Sequence, residues 1–493
     1  MQVFTFFCVE SDGSVPRFDV TPCADDQAAR LRAFELLDMH HRCDFVEVWR
    51  GAHARPVGGS LVGELRIAWE MSRNLMGAWC EEDFDNLFTP YVFLGQPGLV
   101  VSDPAAARRI LTSPNYIRPV KAGRTLKPLV GEGVLLAEGE TWKRQRKSLA
   151  PAFTPAAIND LLPHFVGAGA ALAEGLADRR QADLSQAFHH ATLDAVLRAL
   201  FSRRADGEGA HLAEIARRYM EGPAHFNLTD FVSRGADDMT WFDGARRRQG
   251  RRWFAIVERL IAERRSQPHD RPRDFLDRLL SLRDEDGAPL PDQEIRDQCG
   301  SMLGAGFETT SRLLFWAAYL LALDPKTQSK VRAECAATPA ADIQTLNDLK
   351  AWPLMRSVLF ETLRLYPSAP LIGRQALTAD EVEGHAVAPG CIITISPWLI
   401  HRHRKLWSAP TDFIPDRFLD QPHPWGVEAF LPFGAGPRVC IGASFALAEA
   451  QIVLASLLER FEIGLVGGRP VIPIASISLG PDHAPEFTLT PVT

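Results

Sequence analysis

One of the chain's eight cysteines stands in a setting that could do chemistry. Cys440 lies in Phe433-Gly434-Ala435-Gly436-Pro437-Arg438-Val439-Cys440-Ile441-Gly442, a Gly/Pro loop that follows Pro432 and runs into an alanine-rich stretch (Ala443, Ala446, Ala448, Ala450). Such a loop delivers a thiol to a helix N-terminus, where the dipole and free backbone N–H groups lower a thiol's pKa and hold its charge. Glycines at 434, 436 and 442 let the backbone approach a flat ligand closely, and Arg438 is a ready carboxylate partner. A lone cysteine is usually buried structure. Here every fixed position of F-x-x-G-x-R-x-C-x-G is filled, which favours a ligand.

Three further constellations accompany it. In Ala305-Gly306-Phe307-Glu308-Thr309-Thr310, Ala305 and Thr309 share one face of a helix. The Thr309 hydroxyl can bond back to a carbonyl one turn earlier, Gly306 lets a ligand approach the backbone, and Glu308 supplies an acid. Glu361 and Arg364, three apart on a helix, can form a fork-like charge pair, and Arg417 follows in Pro415-Asp416-Arg417-Phe418. Trp142 and Arg146 share a helical face in W-x-x-x-R, and Arg374 follows Tyr366-Pro367-Ser368-Ala369-Pro370.

Together, and in this order, these motifs resemble those of the cytochrome P450 family, the haem-thiolate monooxygenases, over about residues 60–493. The 79 residues separating Glu361 from Cys440 fit that family. The resemblance implies a mainly α fold, a helical bundle around a buried haem b with small β-sheets, and Cys440 as the axial thiolate. It implies a groove for O2 at Ala305, Gly306 and Thr309, proton delivery by Thr309 and Glu308, and a structural network of Glu361, Arg364 and Arg417. Trp142, Arg146, Arg374 and Arg438 would give four donors for the two haem propionates. Phe433, Gly434, Pro432, Gly442 and Ala446 would line the cofactor.

The elements that must position these residues are mostly helices. Apolar spacing predicts helices over 61–79, 105–111, 142–149, 158–177, 184–202, 210–220, 245–265, 292–323, 325–336, 355–365 and 443–461. Short extended pieces fall at 91–94, 99–102, 373–377, 386–387 and 391–396, and 397–437 reads as a long structured coil of the kind that serves function. Residues 1–55 differ: aromatic and β-branched runs at 3–9 and 44–50, an intervening stretch ending at Val20, and a helical pattern over 24–40 suggest a small ββαβ-like appendage. The linker Pro56-Val57-Gly58-Gly59 follows it. His40, His41 and Cys43 are read as a solvated helix end.

Composition narrows the alternatives. The chain has 493 residues, 46% hydrophobic, with 54 Lys plus Arg against 61 Asp plus Glu. A net charge of −7 argues against a nucleic-acid binder driven by bulk positive charge. Scattered cysteines without any C-x2-C suit a reducing compartment. The start lacks a signal-peptide pattern, and the longest apolar run, 313–323, is shorter than the ~20 residues of a transmembrane helix. The expectation is a cytoplasmic protein with no transmembrane segment.

The paired glycines at 304/306 and 434/436 lack the third glycine of a dinucleotide fingerprint. That sets a dinucleotide-binding dehydrogenase aside, and the resemblance implies a monooxygenase acting on a hydrophobic small molecule. With about fifty residues after Cys440, electrons are expected from a separate ferredoxin or flavodoxin, docked at the basic trio Lys143, Arg144 and Lys147. Apolar stretches at Val134-Leu135, 226–231, Ala305 and 369–372 are the expected substrate contacts. A peroxide-using enzyme and a non-catalytic haem sensor are the alternatives, both disfavoured by the intact Glu308-Thr309 pair. His403 and Arg404 stand where the family often has Asp and Pro, which makes that turn more basic and less rigid.

Overall fold

A computed structural model describes residues 2–9, 17–23, 45–50, 68, 71–220, 222–223, 230, 233, 235, 243–266, 274–283, 287–419 and 428–492. The first three stretches are strands β1 (Gln2–Val9), β2 (Arg17–Cys23) and β3 (Phe45–Arg50). They form an antiparallel sheet in the order β2-β1-β3, with Phe6 opposite both Asp19 and Val48. The expected helix over 24–40, the linker and the His40/His41/Cys43 cluster lie outside the described residues.

The body of the protein is helical. Its principal helices are α1 (Pro104–Thr112), α2 (Gly139–Leu149), α3 (Leu162–Gly175), α4 (Leu184–Phe201), α5 (Glu208–Met220) and α6 (Gly244–Ser266). They continue with α7 (Asp292–Leu323), α8 (Pro325–Ala337), α9 (Pro353–Leu365) and α10 (Ala443–Arg460). α7 has 32 residues, a rod of about 48 Å at 1.5 Å per residue. It is apolar on most sides because α4, α9 and α10 all pack against it. It stops where Pro325 opens α8 and Asp324 caps that helix, accepting from the Thr327 N–H at 3.1 Å and its hydroxyl at 2.6 Å.

Of the pattern over 61–79, the described residues hold a helical turn at 71–73 and, after Asn74 accepts from the Met76 N–H, a 3-10 helix at Leu75–Ala78. A second expected helix is interrupted, and a third ends one residue early. The pattern over 158–177 becomes a short helix, Pro155–Asn159, and then α3. Pro163 sits in the first turn of α3, where its missing N–H costs nothing, whereas it would break a continuous ladder. The pattern ending at Phe461 stops at Arg460, because Phe461 starts a strand.

Ahead of that strand, β4 (Phe88–Phe93), β5 (Gln96–Val101), β6 (Tyr116–Ile117), β7 (Ile372–Ala376) and β8 (Ile392–Ile395) form one sheet in the order β4-β5-β8-β7-β6. Only the β5–β8 pair is parallel, with Ile393 beside Leu99, and β7 sets Arg374 opposite Ile393. Strand β9 (Phe461–Leu465) pairs with a C-terminal strand, Phe487–Pro491; between them Pro473–Ala475 and Leu479–Pro481 make a hairpin. Among the described residues, one helical stretch, Gly436–Arg460, is long and apolar enough to cross a membrane, and most of it is buried within the protein.

Candidate active site

The Cys440 loop is closed by its own backbone. The Cys440 N–H donates to the Phe433 carbonyl at 3.0 Å, and the Ala446 N–H to the Gly442 carbonyl at 2.8 Å, which starts α10 directly behind the thiol. Gly436 has φ +71°, and a Cβ there would lie 2.6 Å from the Leu111 carbonyl oxygen, so this glycine lets the loop lie on α1. A Cβ at Gly434 or Gly442 would meet nothing closer than 3.6 Å, leaving their surfaces open. Pro432 is buried, while Phe433 and Ala446 keep part of their surface. Cys440 itself is exposed.

The thiol's acidity departs from the sequence expectation. Although Cys440 keeps accessible surface, protein atoms surround it on most sides, and this desolvation raises its pKa and outweighs the Gly442 N–H and the Arg146 charge, which both pull it down. The helix terminus by itself is not enough to make a thiolate here. A metal cation coordinated by Cys440 would supply the missing stabilisation, since a bound thiol is deprotonated outright.

Of the expected donors, Arg374, Arg438 and Trp142 gather nearby, and Arg118 joins them. Arg438 donates to the Ala137 carbonyl at 3.0 Å, pairs with Glu138, and lies 4.4 Å above the Trp142 ring. Arg118 donates to the Leu135 carbonyl and lies 4.0 Å from Glu138. Arg374, on β7, donates to the Gly373 carbonyl at 2.9 Å. Burial lowers the pKa of all three guanidinium groups; Arg438 lowers the other two further, and Glu138 alone opposes. For Arg118 the value falls to about 10.

Arg146 donates to the Val439 carbonyl at 2.9 Å and has Cys440 as its charge neighbour, so it lies against the thiol loop. Trp142 carries the Arg438 guanidinium on its ring. Arg118 was not legible as a site residue, because it stands alone between Ile117 and Pro119 with no motif around it.

This arrangement fits a haem. Three mutually repelling cations share one carboxylate, an excess of positive charge that two propionates would neutralise. Beside them, an exposed sulfur on an otherwise enclosed loop faces open space. Trp142 and the open glycines add a flat apolar surface.

On α7, Thr309 Oγ donates to the Ala305 carbonyl at 2.8 Å, the back-bond its spacing implies. The Ser368 hydroxyl holds the Thr309 carbonyl at 2.8 Å. A Cβ at Gly306 would come within 3.2 Å of Val196 on α4, so its missing side chain also serves helix packing. Glu308 is buried, and Arg312 Nε (2.9 Å) and the Ser478 hydroxyl (2.8 Å) both donate to its Oε1. Burial would raise its pKa, but Arg312, His189 and Ser478 outweigh burial and hold it below the ordinary carboxylate value. A second acid, Glu449 on α10, was passed over in the sequence. Burial pushes its pKa far up despite the Thr310 hydroxyl.

Glu361 and Arg364 form a buried bidentate pair at 2.7 and 2.8 Å. Arg364 also donates to the carbonyls of His401 (2.8 Å), Pro410 (2.6 Å) and Asp412 (2.8 Å), while Glu361 accepts from Arg417 at 3.2 Å and the Ile414 N–H at 2.9 Å. The non-consensus turn is compensated: Arg404 pairs with Glu81 and with Asp85. In the basic trio Lys143 and Lys147 are exposed, Lys143 pairs with Glu140 at 2.6 Å, and Arg144 pairs with Glu294 through two hydrogen bonds at 2.9 and 2.8 Å.

Comparison with known proteins agrees with this geometry. The cytochrome P450 family model matches residues 56–482. The chain is 30% identical over 489 residues to cytochrome P450 97B2, chloroplastic, of Glycine max, covering 83% of each protein. It is 29% identical to a cytokinin hydroxylase of Arabidopsis thaliana, covering 80% of this chain and 79% of that one. Among solved structures, the retinoic acid-bound cyanobacterial CYP120A1 superposes with a TM-score of 0.72 at 23% identity, over 82% of this chain and 92% of that one.

Proposed function

The chain belongs to the cytochrome P450 family, and from that membership we propose that it oxidises a hydrophobic small organic molecule with electrons from a separate ferredoxin- or flavodoxin-type donor. Membership alone makes it a monooxygenase with a haem held by a cysteine thiolate, dependent on O2, a substrate and a redox partner. The observation that carries the site assignment is the under-compensated trio Arg118, Arg374 and Arg438 next to the exposed Cys440.

In this reading Cys440 ligates the iron, and the Gly442 N–H and Arg146 stabilise its charge. Arg374, Arg438 and Arg118 hold the propionates, with Trp142 stacked on Arg438 to fix its plane. Bound in this way, the haem supplies O2 activation and oxygen transfer. Thr309, tied to the Ala305 carbonyl, opens a notch in α7 and presents a hydroxyl there. Glu308 holds or releases a proton at its carboxylate behind that hydroxyl. Leu135, Ala305, Ala369 and Ile372 are apolar and keep accessible surface, which supports a hydrophobic substrate; most of 226–231 lies outside the described residues.

The test is spectroscopic and chemical. Cys440→Ala should abolish the thiolate Soret band of the reduced carbon monoxide complex; an unchanged band overturns Cys440 as the ligand. Fatty-acid, terpenoid and steroid probes that shift the haem spectrum should give products carrying oxygen from 18O2 when a ferredoxin system supplies electrons. Label-free products overturn the reaction assigned.

A further inference from the structure

Glu308 needs a route for its protons, and one of its oxygens faces a group that the sequence motifs do not mark. We propose that His189 of α4 hands protons to Glu308 and forms the outer end of the relay that serves Thr309, an assignment that rests on the monooxygenase reading above.

The two carboxylate oxygens are used differently. Oε1 is taken by Arg312 and Ser478. Oε2 makes no hydrogen bond and faces His189 Nδ1 at 3.5 Å, a gap that a small rotation of either side chain closes. Of the three neighbours only the imidazole can give and regain a proton near neutrality; a guanidinium keeps its proton, and a serine hydroxyl is no acid there.

His189 also spans the right depth. Its side chain is 17% exposed against 3% for Glu308, and the next residue, His190, is exposed. The ring is steadied edge-on by Phe307, with centroids 5.0 Å apart and planes at 82°. α4 is in turn fastened to α7, because the Thr192 hydroxyl donates to the Phe307 carbonyl at 3.0 Å and Val196 fills the gap at Gly306. Among the described residues, Glu308 and Phe307 of α7 contact the imidazole, Arg312 and Ser478 stand behind it on the same carboxylate, and His190 follows it on α4.

The transfer moves a proton and no electrons. The Nδ1–H bond of the imidazolium breaks, an O–H bond forms at Glu308 Oε2, and the neutral imidazole regains a proton from water. The carboxylic acid then gives its proton to the Thr309 oxygen while the Thr309 O–H bond breaks and releases that proton to the active-site acceptor, so Glu308 returns to the carboxylate and Thr309 to the neutral hydroxyl. Because Arg312 and Ser478 favour the anion, Glu308 carries protons and does not store them.

The experiment uses haem-loaded parent, H189Q, H189K and T309A with excess spinach ferredoxin, its reductase and NADPH. It follows O2 consumption per haem from pH 5.5 to 8.5 in H2O and D2O, with haem content and thermal midpoint recorded for each protein. H189Q should retain haem and midpoint, slow O2 consumption at least ~10-fold, enlarge the solvent isotope effect and flatten the pH profile. H189K restores a cation beside Glu308 but keeps its proton at these pH values, so it should not rescue the rate. Rescue by lysine overturns the relay and leaves His189 as a charge partner. Parent-like rates in both His189 variants while T309A is slowed overturn the relay and leave the monooxygenase reading intact. Parent-like rates in T309A as well overturn the proton-side assignment along with the relay. Loss of haem or of the thermal midpoint in both His189 variants assigns the residue to the fold, against the proposal.

Discussion

Arg364 and Arg438 are both guanidinium groups withdrawn from water beside a glutamate, and their surroundings differ in a way that separates structure from function. Arg364 has a bidentate carboxylate and three backbone carbonyls, and Glu361 is completed by Arg417 and the Ile414 N–H. Every donor has an acceptor inside the protein, so the network is closed and holds the coil around 401–417 against α9. Arg438 shares Glu138 with Arg118, stands near Arg374, and is left with more positive charge than the protein neutralises. A closed network stabilises the fold as it stands. An open one stores an electrostatic demand that a ligand must meet.

The sharpest way to break this comparison is to remove one carboxylate from each cluster. Glu361→Ala strands Arg364 in the interior and should cost ~3–5 kcal/mol, enough to abolish cooperative unfolding or haem uptake as seen by calorimetry and haem absorbance. Glu138→Gln removes the one anion among three partly hydrated cations and should cost far less in the same calorimetric scan. Equal losses would show that the two clusters do not differ in kind.

The arginines should respond in the opposite sense. Arg438→Gln or Arg374→Gln relieves repulsion in the haem-free protein, so its apo stability should not fall by more than about 1 kcal/mol. Haem retention should nonetheless suffer. Losing one charge-assisted bond, worth about 1.5–3 kcal/mol, should speed haem transfer to apomyoglobin roughly 10- to 150-fold. An apo protein that unfolds while haem release stays at the parental rate would place these arginines with Arg364.

The closed region also carries a pH signature of its own. His401 donates Nδ1–H to the Leu363 carbonyl at 3.3 Å, and its Nε2 accepts from the Leu431 N–H at 2.8 Å. Burial, with Arg364 beside it, lowers its pKa from 6.5 to about 3. The unfolded chain therefore binds a proton below pH 6.5 that the folded protein refuses, and stability falls as the pH drops from 6.5 toward 3. At pH 5 the loss is about 2 kcal/mol. Urea unfolding at pH 7 and pH 5 of parent and His401→Asn should show that difference in the parent and little of it in the variant.

Glu308 is an intermediate case, closed at one oxygen and open at the other. Its Arg312 partner lies against Gly480, where a Cβ would come within 2.9 Å of Arg312 Cζ. Gly480→Ala should shift the flexible arginine at a cost below about 1 kcal/mol, the smallest effect here, yet weaken the hold on Oε1. A thermal midpoint close to the parent's, with an altered pH profile of O2 consumption, is the expected result.

What the sequence determined by itself was what repeats locally or comes as a fixed string. Helical periodicity gave nearly the whole of α7, because 32 residues sample the period nine times over and Asp324-Pro325 ends it chemically. The Cys440 loop, the Thr309 back-bond and the Glu361–Arg364 fork all lie within a few residues along the chain, where spacing dictates geometry. β9 and its partner strand were not readable, since each is only five residues long and gains its stability from the other. Tertiary structure alone decided which cations meet. Arg118, Glu138, Arg374 and Arg438 come from distant segments, and no local pattern records that they converge or that Arg146 lies against the thiol loop. It also decided that Gly306 faces Val196 and that Glu308 is held by Arg312, Ser478 and His189. Charge compensation is a sum over everything within a few ångströms in space, and a sequence records neighbours only along the chain.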